Sequence, residues 1–435
     1  MSKRKPVFAL VDCNNFFVSC ERVFRPDLWD KPVAVLSNND GCIVARSNEV
    51  KALGVPMGIP YFKVRDVLTR ANVTLFSGNF RLYGDFSQRI VQILRHECPD
   101  VEVYSVDESF LELSSLPIDD YEEWAHDLRA QIMQWTGIPV SIGVASSKTL
   151  AKAAADFAKK NDEAQGGFSI APDAALSPEA ADQKRVELLK WLPVGDIWGI
   201  GRRLAPKMQA RGISTAYDLS LVSDTWARSQ LSIRGVKLVR ELKGESCLGL
   251  TYSDEPQQSI ARTRSFGHSV RDYYELESAI ATFTAQAAAK LRDQEEVAGA
   301  ILTFLRTSKH AEVQGGGSQV VTLLPPSADT GTLITAALQG LEQVYDPDFG
   351  YKKGGVILLD LHPATAQQLT FESKPEQMEQ KERLMRTVDE MNARYGTRLV
   401  RHASEHTTRH GWRSKRERVS HAYTTEWTEL PLVHA

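Results

Sequence analysis

Short, unbroken apolar runs recur along the chain, each closed by polar or glycine-containing turns. Residues 7–11, 32–36 and 42–45 are of this kind, and runs of such length between turn signals predict buried strands. Further strands are predicted at 101–106, 109–113 and 139–145, with helices at 79–98 and 120–135. A helix also opens at Asn14-Asn15 and runs through Phe17 and Cys20 toward Val23. Residues 46–78, broken by Gly54, Pro56, Gly58 and Pro60, predict a small helical insertion. Without that insertion the order is β-α-β-β-α-β, the split βαβ arrangement. In such a sheet, with helices on one face, the end of the first strand lies beside the turn at 107–108.

Beyond this unit a helix is expected from about 146 to 161, then a turn at Gly166-Gly167 and an all-helical segment over 172–247. A linker near 252–256 precedes a second β-α-β-β-α-β unit, with strands at 259–264, 298–307, 319–324 and 354–361 and helices at 275–292 and 330–344. The tail begins with a polar linker, continues as a helix over 377–395 and ends rich in Arg, Lys and His. The fold class that follows is multidomain α+β.

Composition narrows the class without choosing within it. With 435 residues, 42% hydrophobic and 25% charged, the chain has material for about three domains and the balance of a soluble globular protein. No apolar run approaches the roughly 18 residues that span a bilayer, and Asp12 interrupts any signal-peptide core after Met1-Ser2-Lys3-Arg4-Lys5. A cytoplasmic protein with no membrane partner is expected. The five cysteines are odd in number and lack CxxC spacing, so neither a disulfide framework nor a zinc site is indicated. A formal charge of −3 argues against a uniformly basic DNA-coating protein, so affinity for nucleic acid has to come from segregated basic surface.

The candidate chemistry lies in Tyr104-Ser105-Val106-Asp107-Glu108-Ser109-Phe110, answered by Asp12 at the end of the first strand. Neighbouring strands lie about 4.8 Å apart, and the paired ions of phosphoryl-transfer sites about 3.5 to 4 Å apart. Carboxylates on adjacent strands can therefore serve two cations, and a hard all-oxygen donor set suits Mg2+. Acidic pairs at strand turns are also common as solvated surface, and Asp at a strand end is a frequent turn former. On residues alone both readings stand.

Several ordered strings resemble the Y-family translesion DNA polymerases of the UmuC-like branch: Phe8-Ala9-Leu10-Val11-Asp12-Cys13-Asn14-Asn15-Phe16-Phe17, Phe24-Arg25-Pro26-Asp27-Leu28-Trp29, Leu36-Ser37-Asn38-Asn39-Asp40-Gly41-Cys42, Ala52-Leu53-Gly54-Val55, Tyr104-Ser105-Val106-Asp107-Glu108 and Trp198-Gly199-Ile200-Gly201-Arg202-Arg203. The resemblance is strong over about residues 6–362. It implies a right-hand polymerase: a ferredoxin-like palm (1–13 and 79–171), small fingers (14–78), a helical thumb with a helix-hairpin-helix (172–247), a βαββαβ little finger (255–362) and a partner-binding tail (363–435).

The implied function is error-prone, template-directed translesion synthesis in the SOS response to DNA damage, using dNTPs, primer-template DNA and two Mg2+ ions. Asp12, Asp107 and Glu108 would be the catalytic, metal-binding acids, with the Cys13 carbonyl as a further ligand. Asn14, Asn15, Phe16, Phe17, Val44, Lys51 and Lys159 would contact the incoming nucleotide, Phe17 as the ring that excludes a 2′-hydroxyl. Cys42, Val44 and Gly58 would form a small roof over the nascent base pair. Asn48 departs from the tyrosine that some relatives use on phosphate. Gly199, Gly201 and Arg202 in the thumb, and Arg262, Arg264, Lys352 and Lys353 in the little finger, would hold DNA.

The implied partners are a processed UmuD-like dimer and a RecA-type recombinase. A sliding clamp is a further one, through Gln367-Gln368-Leu369-Thr370-Phe371, where Thr370 replaces an expected leucine. The rival reading is a noncatalytic DNA-binding assembly subunit.

Overall fold

A computed structural model describes residues 5–252, 257–366, 375–395, 399–405 and 412–431. The clamp-like segment 367–371 and most of the linker at 252–256 lie outside them. The chain divides into two compact units, the first comprising Met1–Ser37, Cys42–Asp254 and Arg418–Ala435, the second Asn38–Gly41 and Glu255–Glu417.

In the first unit β1 (Phe8–Cys13) leads into α1 (Phe16–Val23), followed by β2 (Val33–Leu36), β3 (Ile43–Arg46), α2 (Asn48–Ala52), α3 (Tyr61–Arg70) and β4 (Thr74–Ser77). Next come α4 (Phe80–Glu97), β5 (Val101–Val103), β6 (Glu108–Glu112), α5 (Tyr121–Thr136), β7 (Val140–Ala145), α6 (Lys148–Lys160) and β8 (Gly167–Ser169). The main sheet has the order β5-β6-β1-β7-β8, with β1 antiparallel to both neighbours. This is the split βαβ order with β8 added parallel to β7. The insertion is not simply helical: β4 pairs in parallel with β2 to complete a three-stranded sheet, β3-β2-β4. So short a run carries too little periodicity to be told from a helical segment.

Helices cover both faces of the main sheet, where the sequence suggested one. Successive side chains of a strand point to opposite faces, and Ala9, Val11 and Cys13 of β1 accordingly pack among residues of α1, α4 and α5. Phe8 and Leu10 join the opposite core, beneath Leu150, Ala151 and Ala154 of α6. Small residues let α6 sit close. A Cβ at Gly143 on β7 would meet the backbone nitrogen of Ala155 at 2.1 Å and the carbonyl oxygen of Ala151 at 2.3 Å.

The helices α7 (Pro178–Trp191), α8 (Ala205–Gln209), α9 (Ala216–Ser220) and α10 (Asp224–Leu242) extend this second core through Leu188, Met208, Leu219 and Val239. Across the seam between α1 and α4, the buried Glu21 accepts a hydrogen bond from the Tyr83 hydroxyl at 2.7 Å. Burial pushes the Glu21 carboxyl above its ordinary range, and the hydrogen bonds it accepts only partly offset this.

The second unit contains β9 (Ile260–Val270), α11 (Tyr273–Asp293), β10 (Glu296–Thr307), β11 (Gly316–Ser327), α12 (Thr330–Val344), β12 (Tyr351–Pro363) and α13 (Pro375–Arg394). Its sheet has the order β11-β10-β12-β9, antiparallel throughout. Apolar faces of α11 and α12 cover it, and Trp412 from the tail packs on Phe283 with ring centroids 5.5 Å apart. Among the described residues no helix is long and apolar enough to cross a membrane.

Gly143→Ala is expected to lower unfolding stability by about 3 kcal/mol through overpacking of α6 on β7, measured by urea denaturation. For Glu21 the folded carboxyl binds its proton more tightly than the unfolded one. Its contribution is therefore fully present below the unfolded pKa and is lost as pH rises through the folded value. Glu21→Gln should flatten that fall when urea midpoints are compared between about pH 5 and about pH 8; an unchanged slope would contradict the assignment.

Candidate active site

The antiparallel register of β1 and β6 places Asp12 directly opposite Glu108. The turn entering β6 is closed by Ser105, whose hydroxyl donates to Asp107 Oδ1 at 2.6 Å and accepts from the Glu108 N–H at 3.1 Å. The Cys13 N–H reaches the Asp107 carbonyl at 2.9 Å, tying the end of β1 to the same turn. Asp12 shares its strand face with Phe8 and Leu10, and Glu108 shares its face with Phe110. Both carboxylates therefore lie on the side covered by α6.

α6 meets them with a row of lysines. Lys148, Lys152 and Lys159 are spaced by four and seven residues, which puts them on one helix face. Lys159 Nζ lies 2.7 Å from Asp12 Oδ1, Lys152 Nζ bonds Glu108 Oε1, and Lys148 Nζ sits 2.7 Å from the buried Glu102. Burial holds the Glu108 carboxyl above its ordinary range; Lys152 opposes the rise, while Asp12 and Asp107 add to it. Burial also drives the Cys13 thiol well up, reinforced by Asp12 and Asp107, so the sulfur stays protonated and serves packing.

The donor set fits a hard divalent cation: three carboxylates from two adjacent chain segments, with no soft ligand engaged. Among the described residues no three such side chains already converge as a ready ligand cluster. Each acid is held by its own partner, Asp12 by Lys159, Glu108 by Lys152 and Asp107 by Ser105. A cavity of about 300 Å³ adjoins Asp12, Glu108, Lys152, Asp156 and Trp198. Trp198 Nε1 donates to the Tyr104 hydroxyl at 3.1 Å, and its ring lies 5.7 Å from that of Phe110, which gives the site an aromatic wall.

The start of α1 lies next to the acids in sequence. The first intrahelical amide bond runs from Ser19 to the Asn15 carbonyl, so earlier amides have no partner within the helix. The Asn14 N–H is already donated to the Pro139 carbonyl at 2.8 Å, which leaves Asn15, Phe16, Phe17 and Val18 as the donors of this helix start. Asn15 takes a left-handed conformation with φ 49°. Its side-chain amide and Lys51 Nζ both reach Asn48 Oδ1, at 3.1 and 3.2 Å.

Desolvation of the Lys51 ammonium lowers its pKa, and the positive charges of Lys159, Arg46 and Lys160 lower it further, with Asp12 opposing. A cationic cluster thus stands beside the acids. Phe16 is buried at 3% exposure, whereas the half-buried Phe17 stacks on Tyr83 at 4.4 Å and meets Phe80 edge-on at 5.8 Å. On β3 Val44 is half-buried, and Gly58 is exposed with φ 75° and nothing within 4 Å of a Cβ.

In the helical part of the first unit, Gly199 adopts φ 96° and neither it nor Gly201 has an atom within 4 Å of a Cβ, so the backbone of this turn is open to a ligand. Arg202 is exposed beside it. The arm before the hairpin is only a 3₁₀ turn, Val194–Asp196, and the arm after it is α8.

In the second unit Arg262 pairs in register with Val356, Arg264 with Gly354 and Lys353 with Ser265, while Lys352 donates to the Gly267 carbonyl at 2.9 Å. Burial lowers the Arg264 pKa, with help from Arg416 and Arg413; burial and Lys415 do the same for Lys352. The tail thus adds three cations to that strand pair.

Sequence reasoning did not single out Lys152, Arg46 or Tyr83. The lysine spacing on α6 was a legible signal for the first; the others became neighbours of the site only through folding.

The family models match in chain order: the impB/mucB/samB family over residues 11–156, its C-terminal domain over 257–371, and a domain of unknown function, DUF4113, over 382–433. The chain is 38% identical to Protein ImpB of Salmonella typhimurium over 98% of its own length and 99% of that protein. It is 39% identical to Protein UmuC of Salmonella typhimurium strain LT2 over 90% and 91%. Among solved structures, a Y-family DNA polymerase chimera, Dbh-Dpo4(243-245)-Dbh, superposes with a TM-score of 0.62 at 20% identity, covering 81% of this chain and 98% of that one. Near-full-length identity of this order, a shared fold and an acid pair at the predicted strand junction lead to one assignment: the chain belongs to the impB/mucB/samB family, as a UmuC-like member of the Y-family DNA polymerases.

Proposed function

We propose that this polymerase performs error-prone translesion synthesis in the SOS response, extending a primer 3′-hydroxyl with dNTPs across damaged template bases. The observation that carries the reading is the register that sets Asp12 opposite Glu108, with Asp107 in the adjoining turn. Asp12, Asp107, Glu108 and the Cys13 carbonyl would hold two Mg2+ ions. When bound, the ions supply charge stabilisation for the attacking and leaving oxygens of an in-line displacement that releases pyrophosphate.

The remaining work falls to the chain's own groups. Lys152 and Lys159 balance the acids' charge, and Lys159 with Lys51 and Arg46 presents positive charge to the triphosphate. Amides at the α1 start add donors and the helix dipole. Phe17 faces the sugar and excludes a 2′-hydroxyl. The small roof of Cys42, Val44 and Gly58 admits altered template bases at the expense of shape discrimination, hence low fidelity. Gly199, Gly201 and Arg202, with Arg262, Arg264, Lys352 and Lys353, grip phosphates without reading sequence. A processed UmuD-like dimer, a RecA-type recombinase and, through 367–371, a sliding clamp complete the working assembly.

In primer extension with the accessory proteins present, Asp107→Ala/Glu108→Ala should lose about 10³-fold in rate, the equivalent of several kcal/mol of charge stabilisation. Full activity in the variant would overturn catalysis at this site, and equal inactivity of variant and parent would favour the assembly-subunit reading. Cation binding requires the Glu108 carboxylate, so affinity for Mn2+ should rise as pH climbs through its elevated pKa. Lys152→Met removes an influence that lowers this pKa. Its Mn2+ titrations, followed by electron spin resonance, should show the acid limb displaced to higher pH, and displacement to lower pH would contradict the pairing.

A further inference from the structure

The C-terminal segment returns to the first unit and fastens itself beside the sugar-facing ring. Val419 forms a parallel bridge with Ser77, where the Ser77 N–H donates to the Arg418 carbonyl at 2.8 Å and the Arg418 N–H donates to Ser77 Oγ at 3.0 Å. Asn79, whose side chain caps α4, also donates from Nδ2 to Ser420 Oγ at 2.9 Å. Tyr423 stacks on Phe24 at 4.3 Å with an interplanar angle of 13° and is 8% exposed. This segment lies within the stretch matched only by a domain of unknown function.

Ser420 ends on a group that matters to the nucleotide pocket. Its hydroxyl donates at 3.1 Å to Glu21 Oε1, the same oxygen that accepts from the Tyr83 hydroxyl at 2.7 Å. Glu21 and Phe17 are four residues apart on α1 and therefore share a helix face. Tyr83 spans both, its hydroxyl on Glu21 and its ring parallel to Phe17 at 4.4 Å and 13°. Phe80, one turn before Tyr83 on α4, meets Phe17 edge-on and fixes its other flank. A fully buried carboxylate needs its donors, because each one lost leaves charge without compensation. Removing Ser420 would leave Tyr83 as its remaining side-chain donor here, and Tyr83 also carries the Phe17 stack.

We propose that the tail is a positioning strap for the sugar gate: Ser420 holds Glu21, Glu21 holds Tyr83, and Tyr83 sets the ring of Phe17 against the incoming sugar. Discrimination between deoxy- and ribonucleotides therefore depends on a segment more than 400 residues along the chain. The proposal rests on the reading of Phe17 as that gate. Ser420, Glu21 and Tyr83 act through Phe17 and touch no reacting atom.

The test uses the full-length chain on a primer-template with a dideoxy-terminated primer and Mg2+, so that binding is measured without turnover. dCTP and CTP are titrated opposite a template guanine, and the dissociation constant of CTP divided by that of dCTP is the readout. Ser420→Ala and Tyr83→Phe should each reduce the ratio about tenfold, the scale expected of a sub-ångström displacement of a positioning group. Ser420→Ala should leave dCTP affinity within about twofold of the parent, because the loss falls on geometry rather than on shared contacts. Ser420→Thr, which keeps the hydroxyl, should restore the ratio.

Phe17→Ala serves as the reference and should abolish discrimination. Loss in Phe17→Ala with parental ratios in both Ser420→Ala and Tyr83→Phe overturns the strap while leaving the gate. Equal weakening of both nucleotides in Ser420→Ala marks a merely structural tail and also overturns it. Retained discrimination in Phe17→Ala removes the gate reading itself, and the proposal with it.

Discussion

Like charges concentrated at the ends of two inner strands of a β-sheet govern this molecule. Alternation along β1 sends Ala9, Val11 and Cys13 into one core and Phe8, Leu10 and Asp12 to the opposite face, where β6 contributes Glu108 and Phe110. Carboxylates so placed repel one another and resist burial, and a fold without compensation would splay at this junction. Compensation comes from α6. Its alanines allow an approach close enough that Gly143 has no room for a side chain, and its lysines then reach the acids one by one. The packing of a helix and the electrostatics of a site are here a single arrangement, because the small residues that seat α6 also set the reach of Lys152 and Lys159.

The same helix face is tied down further along by a buried ion pair. Lys148 and Glu102 are almost fully enclosed, and Glu102 also accepts the Thr251 N–H at 2.6 Å. A pair this deep adds little net stability, but losing one partner would strand a charge in the core. Its effect is to fix where α6 begins, and so the register of the lysines that follow. Aromatic groups around it, Phe110 beneath Lys148 and Tyr104 beside Lys152, supply faces that favour cations.

α1 carries the other half of the site. Its amino end offers amides beside the acids, and one of its faces carries both Phe17 and Glu21 toward the seam with α4. Burial of Glu21 is costly on its own, and the tolerance comes from Tyr83 and from the returning tail. The tail is thus built into the first unit by stacking and hydrogen bonds, while its basic stretch, Arg413, Lys415 and Arg416, stands with Arg264 and Lys352 in the second.

Much of this was legible in the chain itself. Unbroken apolar runs located four strands of the main sheet but not β8, where the sequence signals only a turn at Gly166-Gly167; the order of elements gave the split βαβ arrangement, and the spacing from Thr330 to Val344 marked a helix that the structure reproduces. Local pattern sufficed because those runs are bounded by turn formers and have only one face, or none, to leave wet. Local pattern could not pair β4 with β2, seat α6 on the second face of the sheet, or bring Ser420 to Glu21, since each depends on partners dozens to hundreds of residues away. Asp12, Asp107 and Glu108 could be named from sequence as candidates. The order of elements already set the end of β1 beside the 107–108 turn, but the exact register of Asp12 against Glu108, and the lysine that answers each, was decided only by strand pairing and close packing across distant parts of the chain.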